Sequence, residues 1–278
     1  MNGGTLSRRR LLAWGAVAAA WGTSAGAATL AQVRERGRLV VGLYEDMPPF
    51  HVKGRGIDVE LGQALAEALG VKFSPLPFNA DENMGDDLRN MVWKGHYLGY
   101  GPADVLMHVP VDRPLIDATP QARIFGPYYR ERVMLARRVD ELPVLDALSQ
   151  LGTRRVAVAG QTLAGWLMIG ADGGAYREQL LTQWKDGCDA ARALQRGEVA
   201  AAAGLASELE AVLAGDTAYR IEPLPSPRAP RDGWAAGLAV KRDATDLAEA
   251  LQQALNRLAQ AGRVGEIFAK YKVAWRPA

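Results

Sequence analysis

Along this chain, short apolar runs alternate with stretches of helical periodicity, the pattern of an open α/β fold. Leu39-Val40-Val41-Gly42-Leu43 reads as a buried strand, and the polar, proline-broken segment Glu45-Asp46-Met47-Pro48-Pro49-Phe50 reads as a loop. Asp58 is the N-cap candidate for a helix whose Leu61, Leu65, Ala68 and Leu69 share one face, with Gly70 as its stop. Val71 to Phe73 predicts a second strand, Asp86 to Trp93 a short helix and Ala103 to Met107 a third strand. That order, βαβαβ, implies a parallel sheet. A second unit of the same kind opens with a strand at Arg155–Ala159 and the turn Gly160-Gln161-Thr162, followed by a helix from Leu163 to Met168. Helices are predicted at Asp189–Arg196 and Ser207–Leu213. The four prolines between Pro223 and Pro230 exclude a helix or a central strand there. Trp234 to Val240 reads as a strand, Leu247, Leu251, Leu255 and Leu258 mark a long helix, and Val264 to Tyr271 a last short one.

The first residues follow a different logic. Ser7-Arg8-Arg9-Arg10-Leu11-Leu12 matches the twin-arginine export pattern, and Ala25-Gly26-Ala27 supplies the small residues of a processing site. A signal peptide over 1–27, cleaved near Ala27, and a periplasmic mature protein are therefore expected. The apolar run from Leu11 to Trp21 is shorter than the roughly 20 residues a membrane span needs, so no span is expected in the mature form.

Charge reads differently once that segment is set aside. The chain carries 33 basic and 31 acidic residues; residues 1–27 hold three arginines and no acid, which leaves 30 basic against 31 acidic. The mature balance therefore asks for no nucleic acid, and no basic stripe interleaved with aromatics is present. A single cysteine, Cys188, excludes an internal disulfide. His51, His96 and His108 lack metal-ligand spacing, so no metal is expected, and no phosphate loop or dinucleotide fingerprint points to a cofactor.

Three segments carry a family resemblance. Leu39-Val40-Val41-Gly42 with Pro48-Pro49-Phe50 and Gly56-Ile57-Asp58-Val59-Glu60-Leu61, then Asp104, Arg113 and Phe125-Gly126-Pro127-Tyr128-Tyr129, then Gly262 with Ile267-Phe268-Ala269-Lys270-Tyr271, follow the order of the extracellular solute-binding proteins of the polar amino acid transport class. Asp104 to Pro110 and Pro127-Tyr128-Tyr129-Arg130 are similar to the subgroup associated with quinoprotein alcohol dehydrogenases. The resemblance implies a type II periplasmic-binding fold: lobe one over 28–135 and 233–278, lobe two over 136–232, and two crossing strands with a ligand cleft between. It implies a binding protein rather than an enzyme, a monomer, and hinge closure over a small polar or carboxylated ligand for presentation to an ABC transporter permease. The alternative it carries is an accessory role toward a periplasmic quinoprotein dehydrogenase with its cytochrome c. A cleft dehydratase using Glu45 and Asp46 is a third reading.

Ligands of open α/β sheets lie outside the carboxyl ends of the strands. The candidates on lobe one are accordingly Tyr44, Glu45, Asp46, Met47, Phe50, His108 and Arg113; on lobe two they are Gln161, Thr162, Leu163 and Leu205. By resemblance, Arg113 grips a ligand carboxylate through its fork, although Asp112 offers it a surface ion pair instead. Met47 stands where the family places an aromatic, and packing is its alternative role. Leu205 occupies the position where amino acid binders carry an acid for the ligand's ammonium group. Val199 to Leu205 holds no acid, so a free α-amino acid is disfavoured.

Overall fold

The computed structural model describes residues 29–278, so the signal peptide expected over 1–27 lies outside the described residues. Helix α1 (Leu30–Arg36) opens with a capping box in which Thr29 and Gln32 satisfy each other's backbone N–H groups. It leads into β1 (Arg38–Tyr44), α2 (Ile57–Ala68), β2 (Lys72–Phe78), α3 (Met84–Leu88), β3 (Val105–Pro110), α4 (Arg113–Ala118) and β4 (Ala122–Glu131). Between α3 and β3, Arg89–Lys94 continues α3 with π-type winding. β1 pairs in parallel with β2 and with β3, as the βαβαβ pattern predicts. Asp58 is not the cap of α2. Gly56 is, at φ 145°, where a Cβ would run into the carbonyl of Phe50, and Asp58 lies in the first turn, buried.

The chain changes sheet across a single residue, Arg132. β5 (Val133–Arg138) begins a second sheet with β6 (Val156–Val158), β7 (Leu180–Leu181), β8 (Ala201–Leu205) and β9 (Tyr219–Pro223), in the order β7-β6-β8-β5-β9. Val133 to Leu135, placed in lobe one from the sequence, pair with β8 and β9 in this second sheet. Helices α5 (Leu163–Gly170), α6 (Gly187–Gln195) and α7 (Ala206–Leu213) cover it. β8 is buried on both faces, and its alanines let α5 on one side and α6 on the other approach closely. The chain returns through the proline-rich segment to β10 (Trp234–Lys241), which joins the first sheet between β3 and β4, antiparallel to both. α8 (Thr245–Gln260) and α9 (Arg263–Lys270) then pack with α2 over that sheet, burying Leu247, Leu251, Leu255 and Phe268. Each sheet thus has its own apolar core, and two crossings join them.

Gly233, just before β10, fixes the second crossing. At φ 64° it sits so close to the Glu131 carbonyl that any Cβ would overlap it.

Candidate functional site

The carboxyl ends of β1 and β3 and the crossing ends of β4 and β10 face the end of β8 across a cavity of about 410 Å³. This is within the range of small-molecule sites. Tyr44, Glu45, Asp46 and Met47 line it from the loop after β1, and Ala80, Met84 and Asp87 from the connection after β2. His108 and Pro110 come from β3, Glu131, Trp234 and Ala236 from the crossing strands, and Leu205 from the second sheet. Two larger hollows, of about 560 and 520 Å³, lie on the outer face of α2 and α9 and beside the proline-rich crossing. Neither takes residues from the ends of β1 or β3.

His108 is held in place by a buried network. Its Nδ1 lies 3.1 Å from Asp58 Oδ2, and the Tyr128 hydroxyl donates to Asp58 Oδ1 at 2.8 Å while accepting from the His108 backbone N–H at 3.1 Å. A carboxylate only accepts, so Nδ1 carries a hydrogen directed at Asp58. His108 adopts φ 61°, a left-handed conformation rare for a side chain of this size, and packs 4.1 Å from the Phe50 ring. Burial, and next the Asp58 charge, hold the Tyr128 phenol far above its ordinary range. Tyr128 therefore stays a neutral donor.

The carboxylates are arranged in two depths. Glu45 and Asp46 are exposed at the mouth, where Lys185 of the second sheet's unit reaches Asp46 at 3.4 Å. Asp87 is buried: it accepts from the Tyr44 hydroxyl at 2.9 Å and from the Asp81 N–H at 2.7 Å, and its burial raises its pKa despite those bonds. Glu131 is fully buried at the crossing and accepts from the backbone N–H groups of Arg132 and Ser207 and from the Ser207 hydroxyl. Its pKa is likewise raised by burial, an effect the Ser207 bond opposes. Glu131 thus ties the crossing strand of one sheet to the first turn of α7 beside the other.

Several sequence candidates stand elsewhere. Arg113 does not line the cavity: its side chain is 84% exposed and pairs with Asp117 at 2.9 Å. The reason is local, because Asp112 caps α4 by accepting from Leu115 N, which makes Arg113 the first helical residue and sends its fork along the helix. The ion pair forms, but with Asp117 rather than Asp112. Phe50 is a core residue against Tyr129 and Phe268. Thr162 caps α5 by accepting from Gly165 N and donates to the Ala159 carbonyl. Neither it, Gln161 nor Leu163 lines the cavity. Sequence reasoning passed over Ala80, Met84, Asp87, Pro110, Glu131, Trp234 and Ala236. Asp87 falls within the short helix expected from Asp86 to Trp93, which gives no sign of a site, and only the antiparallel insertion of β10 brings Trp234 and Glu131 to it.

Cys188 is buried, donates to the Glu208 carbonyl, and its thiol is pushed up by burial, which disfavours a nucleophilic thiolate. Among the described residues no group of His, Cys, Asp and Glu could hold a metal ion, and no helix is long and apolar enough to cross a membrane.

Two mixed α/β sheets joined by two crossings, with a cavity where their strand ends meet, define the periplasmic-binding-protein fold, and solved structures agree. An ancestral cationic amino acid solute-binding protein matches 87% of this chain and 99% of its own at TM-score 0.65 and 18% identity. An amino acid ABC transporter substrate-binding protein from Streptococcus pneumoniae, bound to L-arginine, matches 87% and 97% at TM-score 0.60 and 19% identity. A histidine kinase sensor domain similar to periplasmic binding proteins matches 86% and 98% at TM-score 0.56 and 20% identity. Identities this low establish the fold alone. No protein-family model and no curated protein matches the sequence.

Proposed function

We propose that this protein is a periplasmic solute receptor, exported with a cleaved leader, that closes its two lobes over a small molecule and presents it to an ABC transporter. The observation that carries the reading is the cavity itself: it lies at the carboxyl ends of the strands and takes residues from both sheets. A solute touching Leu205 on one side and Tyr44, Met47 and His108 on the other makes its full set of contacts only when the lobes approach, so binding shifts the population toward the closed form. The joint through Arg132 and the segment ending at Gly233 is narrow enough to act as a hinge, and the exposed Lys185–Asp46 pair at the mouth is weak enough to open. The solute-binding names of the structural neighbours support the same reading.

A second reading, an accessory protein for a periplasmic quinoprotein dehydrogenase, is favoured by one observation. Tyr97 and Leu98, in the connection between Lys94 and β3, are 88% and 67% exposed, an arrangement suited to a protein contact.

Thermal-shift screening against amino acids, organic acids, alcohols, amines and pyrroloquinoline quinone separates the two. A solute at about 100 times its dissociation constant adds roughly 2.7 kcal/mol of stability, a clear rise in melting temperature. A hit supports the receptor; silence across the whole panel contradicts it and leaves the accessory role.

A further inference from the structure

We infer that the cleft is built for an ammonium cation on an apolar body that carries no carboxylate, an alkyl or aryl amine rather than an amino acid or an organic acid. The inference rests on the receptor reading and specifies its solute.

The polar inventory of the cavity is one-sided. Glu45, Asp46, Asp87 and Glu131 line it with carboxyl groups, and His108 lines it with Nδ1 committed to Asp58. Among the described lining residues there is no lysine and no arginine. Tyr44 already donates to Asp87, which leaves the neutral indole N–H of Trp234 as the side-chain donor not committed to a protein acceptor. Lys185, across the mouth, is paired with Asp46.

A ligand carboxylate entering this set loses its water and meets like charges, with no fork to receive it. Arg113, the residue that would supply one, is turned away on α4 and bonded to Asp117. An ammonium group brings three donors to the same acceptors. Asp87 and Glu131 strengthen the argument, since burial has raised both carboxyls and a cation arriving beside them relieves that cost. The remaining wall suits the body of such a ligand: the thioethers of Met47 and Met84 and the rings of Tyr44 and Trp234 are soft, apolar surfaces that tolerate a neighbouring cation. Leu205 closes the second sheet's side with an isobutyl group, where nothing polar is asked of the ligand.

The test is titration calorimetry with two matched series: 2-phenylethylamine, 3-phenylpropionate, L-phenylalanine and 2-phenylethanol, and n-pentylamine, hexanoate, norleucine and pentan-1-ol. The expected result is that the amine of at least one series binds tenfold or more tighter than its carboxylate, zwitterion and alcohol. Asp87→Asn and Glu45→Gln each weaken that amine at least fivefold and leave the alcohol within twofold. A series led by its carboxylate, zwitterion or alcohol overturns the ammonium assignment while leaving the receptor standing, as does a solute of another class found in the thermal-shift screen with all eight compounds silent. Silence here and in that screen together overturns both.

Discussion

At the scale of single residues, the site depends on side chains whose direction is imposed by a neighbour. Asp58 is the clearest case, a carboxylate taken out of water because His108 and Tyr128 both bond to it. Asp58→Ala should cost about 2–4 kcal/mol in urea unfolding, because it strands two buried polar partners; a loss below about 0.5 kcal/mol contradicts the network. Arg113 makes the opposite case. Arg113→Ala should leave solute affinity within twofold and stability within about 0.5 kcal/mol, as expected for an exposed i,i+4 pair, and a tenfold loss of affinity in calorimetry would put it back in the cleft. Gly233→Ala should destabilise by more than about 1 kcal/mol, since it adds both a Cβ clash and a positive φ. The residues directly after β1 were legible as site residues because a strand end fixes where the next side chains lie. Arg113 was not, since a motif position says nothing of the cap at Asp112 that redirects its fork.

At the scale of elements, the strands rich in Val and Leu and the long α8 declared themselves through periodicity. β4 and β5 did not, because Gly126-Pro127 interrupts the first and the second is a run of only four apolar residues, Val133–Ala136, ending in Arg137-Arg138. β4 pairs with β10, whose register shifts where Gly237 meets the Phe125–Gly126 backbone, while β5 pairs with β8 and β9 in the other sheet. α7 carries a pH signature. Glu208 is buried, accepts from Leu205 N at 2.8 Å and Gly187 N at 3.1 Å, and burial pushes its pKa from 4.5 to about 7. The folded state therefore holds a proton that the unfolded chain releases, so stability is greatest below about pH 4.5 for this group and declines as pH rises toward 7. Glu208→Gln should flatten that limb, worth up to about 3 kcal/mol, in thermal melts across the interval; an unchanged slope contradicts the assignment.

At the scale of the whole molecule, the fold places apolar cores in two separate units and leaves acceptors, sulfur and aromatic rings where the units meet. The two α/β halves were legible in the sequence as repeated strand–helix alternation. The composition of the meeting place was not, since Asp87, Glu131 and Trp234 come from three segments far apart in sequence and are brought together by strand order alone. The proposed closure of the two lobes over a solute is measured by solution X-ray scattering of the protein alone and saturated with the tightest solute from the calorimetric series. The saturated sample should show a smaller radius of gyration, with Leu205→Arg abolishing both binding and contraction. An unchanged radius at full saturation would contradict the closure.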